Sequence, residues 1–71
     1  MRAYKRVVLH RRMLVSLDDG TTLEGVLWDE QGDLLVLRGA VLHDRANGEP
    51  VPMDGDVLVE RRRVRFCQVV G

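Results

Sequence analysis

Apolar alternation in this chain never runs far before an Asp-Gly or Gly-Asp step cuts it, and that punctuation restricts the fold more than any other feature. Met13, Val15 and Leu17 alternate with Leu14 and Ser16, and Asp18-Asp19-Gly20 ends the run with a strong hairpin signal. Thr22 to Trp28 continues the pattern with Leu23, Gly25 and Leu27 on one face, and Asp29-Glu30-Gln31-Gly32-Asp33 is predicted to turn the chain again. The third run is Leu34 to Leu42, where Leu34-Leu35-Val36-Leu37 is apolar on both faces and so implies cover on both sides. Residues 43–55 hold two glycines, two prolines and several charges, predicting a surface loop closed by Asp54-Gly55. Val57 to Arg61 and Val64 to Val70 complete the pattern, separated by little more than Arg62-Arg63. Five short strands in this order predict a mainly β chain, a small antiparallel barrel.

Gly25 stands in mid-strand, where the missing side chain permits a sharp bend or a close backbone approach, so the sheet is expected to curl there. Near the start, Tyr4, Val7, Val8 and Leu9 fit one face of a short helix or an edge strand, and the helix is the preferred reading. No internal repeat or interdomain linker interrupts the chain, so residues 1–71 are expected to form one domain.

Composition narrows the function. Apolar residues make up 45% of the 71 and charged residues 31%, which is ordinary for a folded domain. Eleven basic and eleven acidic residues cancel, removing the strongly basic balance of most nucleic-acid-binding domains. No run reaches the roughly 20 apolar residues a membrane helix needs, and no signal-peptide pattern is present, so a soluble protein without a membrane partner is expected. Cys67 is the only cysteine, which excludes an internal disulfide and a cysteine zinc set. Of the basic residues only Lys5 is lysine, an arginine bias that fits a high-GC genome such as that of an actinobacterium or its viruses.

The order of these segments resembles the Sm-like family. Met13-Leu14-Val15-Ser16-Leu17-Asp18-Asp19-Gly20, then Gly25, Leu27 and Leu35-Val36-Leu37, is similar to the first Sm motif, and Val57-Leu58-Val59-Glu60-Arg61 through Val69 is similar to the second. The resemblance covers most of the chain and implies a bent five-stranded barrel with an N-terminal helix, commonly assembled as a ring. It also implies where RNA would bind: a stacking residue in the turn after the second strand, an Asn closing that turn, and an Arg-Gly pair in the second motif. Here Gln31 falls at the stacking position, Asp33 or Leu34 at the Asn position, and Glu60-Arg61 where Arg-Gly is expected. The RNA site is therefore expected to be lost. A further resemblance, carried by residues 8–15 and by Val51-Pro52-Met53-Asp54-Gly55, is to small Sm-like proteins of actinobacterial bacteriophages. It implies a virion component or assembly factor, located in the virion if phage-encoded and otherwise in the cytoplasm.

The chemistry-bearing residues point the same way. Arg61, Arg62, Arg63 and Arg65 form the densest basic cluster; it fits phosphate contact, but with zero net charge the preferred reading is a solvated strand edge that discourages aggregation. His10 and His43 lack partners at metal-ligand spacing, so no metal or cofactor is expected. Cys67 reads as an inert thiol, and Asp18-Asp19 as turn residues rather than a carboxylate pair, so the chain offers no catalytic set. Val26, Trp28, Leu34 and Val36 are expected on an outward apolar face. Together with Val57, Val59, Val64 and Phe66 of the last strands, they are the candidate protein interface. The expected function is a non-catalytic assembly module that docks to copies of itself or to other virion proteins through edge strands. The alternative is an RNA-binding ring regulator that uses the arginine patch.

Overall fold

The computed structural model describes residues 9–43 and 48–70. They form one antiparallel sheet of six strands: β1 (Arg12–Leu17), β2 (Thr22–Gln31), β3 (Leu34–His43), β4 (Pro50–Pro52), β5 (Asp56–Glu60) and β6 (Val64–Val69). The helix expected near the N-terminus falls mainly on residues 1–8, outside the described residues. Among the described residues the one helical segment is a 3-10 turn, Arg61–Arg63, between β5 and β6.

β2 and β3 form the long central hairpin, with β1 on the free edge of β2 and β6 beyond it. The other edge of β3 carries two short strands in tandem, β5 along Leu34–Arg38 and β4 along Val41–His43. β4 corrects the expected loop: Pro50 and Pro52 pair with His43 and Val41, and proline is tolerated there because the outer side of β4 carries no ladder among the described residues. The expected turn at 29–33 is also shorter than its composition suggests, since β2 continues through Gln31 and only Gly32 and Asp33 turn the chain.

The alternation places Met13 and Val15 of β1, Leu23 and Leu27 of β2, Leu35 and Leu37 of β3, and Val59 of β5 in one buried core. The curl at Gly25 is present. A Cβ there would lie 3.1 Å from the Ala40 Cα and 3.3 Å from the Arg38 carbonyl oxygen, so the missing side chain lets β2 and β3 approach this closely without crowding. Opposite it β3 carries an extra residue: Glu24 pairs with Val41 but Val26 with Arg38, and Gly39 takes a left-handed φ of 63°. The bulge and the glycine together bend the hairpin.

Two more bulges change which way side chains face. Leu27 pairs with Leu37 and Asp29 with Val36, so Trp28 is the extra residue of β2. That insertion reverses the parity of the residues after it: continued alternation would turn Glu30 outward with Val26, yet Glu30 is 6% exposed. In β6 the shift between Ser16↔Phe66 and Leu17↔Val64 makes Arg65 the extra residue.

Candidate functional site

The arginine cluster joins distant parts of the barrel. Arg61 donates from its backbone N–H to the Asp33 carbonyl (2.8 Å), and its guanidinium forks to Glu30 Oε2 (2.8 Å) and Asp33 Oδ1 (3.0 Å). At the other end of the 3-10 turn, the Asp18 N–H donates to the Arg63 carbonyl (2.8 Å). The Arg63 guanidinium in turn reaches Asp18 Oδ1 and Asp19 Oδ2, each at 3.3 Å. Arg62 pairs with the exposed Glu60 at 3.2 Å. The turn is thus clasped to the β2–β3 turn on one side and to the β1–β2 turn on the other.

Burial distinguishes the two sides. Glu30 is enclosed in the barrel, whereas Asp18, Asp19 and Arg63 are well exposed. Burial pushes the Glu30 carboxyl up, while hydrogen bonds and positive charge, those of Arg61 among them, pull it down, and the balance falls below the ordinary glutamate value. Asp19 is also lowered, first by the hydrogen bond it accepts from the Thr21 N–H (2.9 Å) and then by the Thr21 side chain.

Of the four arginines offered for phosphate contact, Arg61, Arg62 and Arg63 are therefore engaged with carboxylates. Arg65, at its bulge, has no ion partner among the described residues. Its exposed side chain lines a groove with Phe66, Ser16, Thr22 and His43. Gln31 donates to Asp29 at 2.9 Å, and Asp33 is committed to Arg61.

The candidate interface residues separate into two groups. Val59 turns its side chain into the core, with Val57 and Val64 packed against it half-buried, which leaves its main chain on the strand edge. The residue of β5 that faces outward is Leu58, 60% exposed, and its counterpart on β6 is Phe66, 57% exposed. Leu58 is absent from the sequence-based candidates, although alternation with two inward valines is a signal for it. Val26, Leu34 and Val36 are half-buried, and Trp28 is 41% exposed at its bulge. The outward apolar face is narrower than expected because the Arg38 guanidinium lies 4.0 Å over the Trp28 ring and the His10 ring is 4.7 Å away, tilted by 38°. Arg38 is itself held by Asp56 at 3.2 Å.

β5 hydrogen-bonds to β3 alone and β6 to β1 alone among the described residues. Among the described residues each therefore has a ladder on one side only, beside its large exposed apolar side chain. No group of three His, Cys, Asp or Glu side chains that could hold a metal ion occurs among the described residues. Cys67 is half-buried in β6, opposite Val15.

The sequence matches no protein-family model and no curated protein. Solved structures do match. A heptameric archaeal Sm protein, described with implications for the eukaryotic snRNP core, superposes with a TM-score of 0.81 at 23% identity, over 97% of this chain and 98% of that one. The SmAP1 heptamer of P. aerophilum superposes with a TM-score of 0.82 at 22% identity, over 100% of this chain and 93% of that one. Agreement over nearly the whole of each chain, with the bent central hairpin and paired closing strands described above, establishes that this chain has an Sm-like fold.

Proposed function

We propose that the protein is a non-catalytic assembly module that joins copies of itself by pairing the free edge of β5 with the free edge of β6. The observation that carries this reading is the pair of one-sided strands bearing the two most exposed large apolar residues, Leu58 and Phe66. Main-chain hydrogen bonds would supply affinity, and the two side chains would gain cover. Two structures of the same fold are heptamers, which supports self-association here. Val57, Val59 and Val64 contribute to such an interface through their main chain, and Leu58 and Phe66 through their side chains. The particle we propose is a bacteriophage virion, on the resemblance of residues 8–15 and 51–55 and on the arginine bias.

The deciding experiment is native mass spectrometry of protein purified at low salt without nuclease, since one spectrum gives both copy number and bound nucleic acid. A nucleic-acid-free oligomer is expected, with Leu58→Asp and Phe66→Asp both reduced to folded monomer. A wild-type monomer, or variants that assemble as before, would refute edge pairing. An oligomer carrying RNA would favour the ring-regulator reading instead, with Arg65 as the arginine left for phosphate.

A further inference from the structure

We infer that the arginine turn between β5 and β6 fixes the angle between the two free edges and thereby sets how many copies an assembly contains; this rests on the edge-pairing reading above. No ladder joins β5 to β6, because each pairs with a different strand of the central sheet. Beyond the shared sheet that runs β5–β3–β2–β1–β6, the direct connection between the two edges is the Arg61–Arg63 turn, and that turn is anchored at both ends. Arg61 is tied to the β2–β3 turn by its N–H to Asp33 and its guanidinium to Glu30 and Asp33. Arg63 is tied to the β1–β2 turn by the Asp18 N–H to its carbonyl and by its guanidinium to Asp18 and Asp19. When one edge of each copy meets the other edge of the next, every copy rotates the growing assembly by the angle between its edges, and that angle decides where the assembly closes. A connection hinged at one end would present a range of angles. One pinned at both ends presents a narrow one.

The anchors differ in how safely they can be released. Arg61 holds a buried carboxylate, whereas the partners of Arg63 are exposed, so its side-chain contacts add little to stability. Asp18 is the second residue of a turn closed by the Gly20 N–H on the Leu17 carbonyl at 3.1 Å. Proline suits that position, so Asp18→Pro keeps the turn while removing both the N–H and the carboxylate that hold Arg63.

The test is native mass spectrometry, with urea unfolding as the control for folding, of the wild type, the double variant Asp18→Pro/Asp19→Asn, Arg63→Ala and Arg62→Ala. The wild type is expected at a single copy number. The double variant and Arg63→Ala are expected to shift by at least one copy or to spread over several. Arg62→Ala, whose side chain reaches only Glu60 among the described residues, is expected to match the wild type. If folded Arg63→Ala and the double variant keep the wild-type copy number, or if Arg62→Ala shifts as far as they do, the inference is overturned. Should the double variant fail to fold, Arg63→Ala decides alone. A monomeric wild type overturns the edge-pairing reading and takes this inference with it, an outcome distinct from an assembly of unchanged size.

Discussion

Replacing Arg61 by alanine separates a structural arginine from a phosphate-binding one. Its contact with Glu30 is a charge-assisted hydrogen bond of 2.8 Å to a carboxylate whose side chain is 4% exposed, a class that contributes roughly 1.5–3 kcal/mol. The second contact, to Asp33, involves a side chain that is 90% exposed and adds no more than about 0.5 kcal/mol. Arg61→Ala is therefore expected to cost about 2–3 kcal/mol, or a fall in Tm of roughly 10–20 °C for a domain of this size. Arg63→Ala, which loses only exposed pairs, should cost under about 1 kcal/mol. Urea unfolding at neutral pH measures both. The Glu30 carboxyl lies below its ordinary value in the folded chain, so its contribution is complete above the ordinary glutamate range and declines as pH falls through the lowered value. The gap between wild type and Arg61→Ala should narrow over that acid window. Equal costs for the two variants at neutral pH, or a gap that widens on acidification, would refute the assignment of Arg61 to a buried clasp.

The geometry carries three further expected outcomes. Gly25→Ala places a methyl 3.1 Å from the Ala40 backbone and should cost about 1–3 kcal/mol by thermal unfolding; an unchanged Tm would mean the hairpin has slack at its bend. Trp28→Ala removes an exposed ring and its contact with the Arg38 guanidinium, and is expected to lower stability by about 1 kcal/mol or less without altering copy number, which native mass spectrometry checks. For RNA, Arg65→Ala should abolish whatever salt-dependent affinity exists while Arg62→Ala leaves it intact, as a filter-binding salt series would show; the reverse ranking would move the contact to the 3-10 turn.

Strands are legible in the sequence wherever period 2 holds and a turn residue ends the run. Met13 to Leu17 can be placed because unbroken alternation matches its inward residues, and the Gly25 bend because a glycine in mid-strand marks it. Bulges defeat the same logic, since one extra residue reverses every later side chain. No local signal marks Trp28 as that residue, so Glu30 reads as part of a turn when it points into the barrel. The two prolines of β4 read as loop because proline removes a donor, although on an outer strand the donor is not needed. The arginine clasp is hidden for another reason: Arg61 finds Glu30 across 31 positions and Arg63 finds Asp18 across 45. Charge clustering along the chain carries no information about such partners, and it makes a set of internal ties look like an open basic patch.

The tandem seating of β4 and β5 on one edge of β3 bears on the order in which the barrel forms. β1, β2 and β3 succeed one another through short turns, so their pairing closes small loops, and β5 and β4 then dock on a strand already in place. β6 must instead return to β1, joining Val69 to Met13 across most of the chain, the contact with the largest loop-closure cost. Amide exchange should accordingly be slowest in β2 and β3 and fastest in β6, and equal protection in all strands would contradict this order. The strand that completes the barrel last is one of the two proposed to pair with a neighbour, so a second copy that captured β6 would also be finishing the fold of the first.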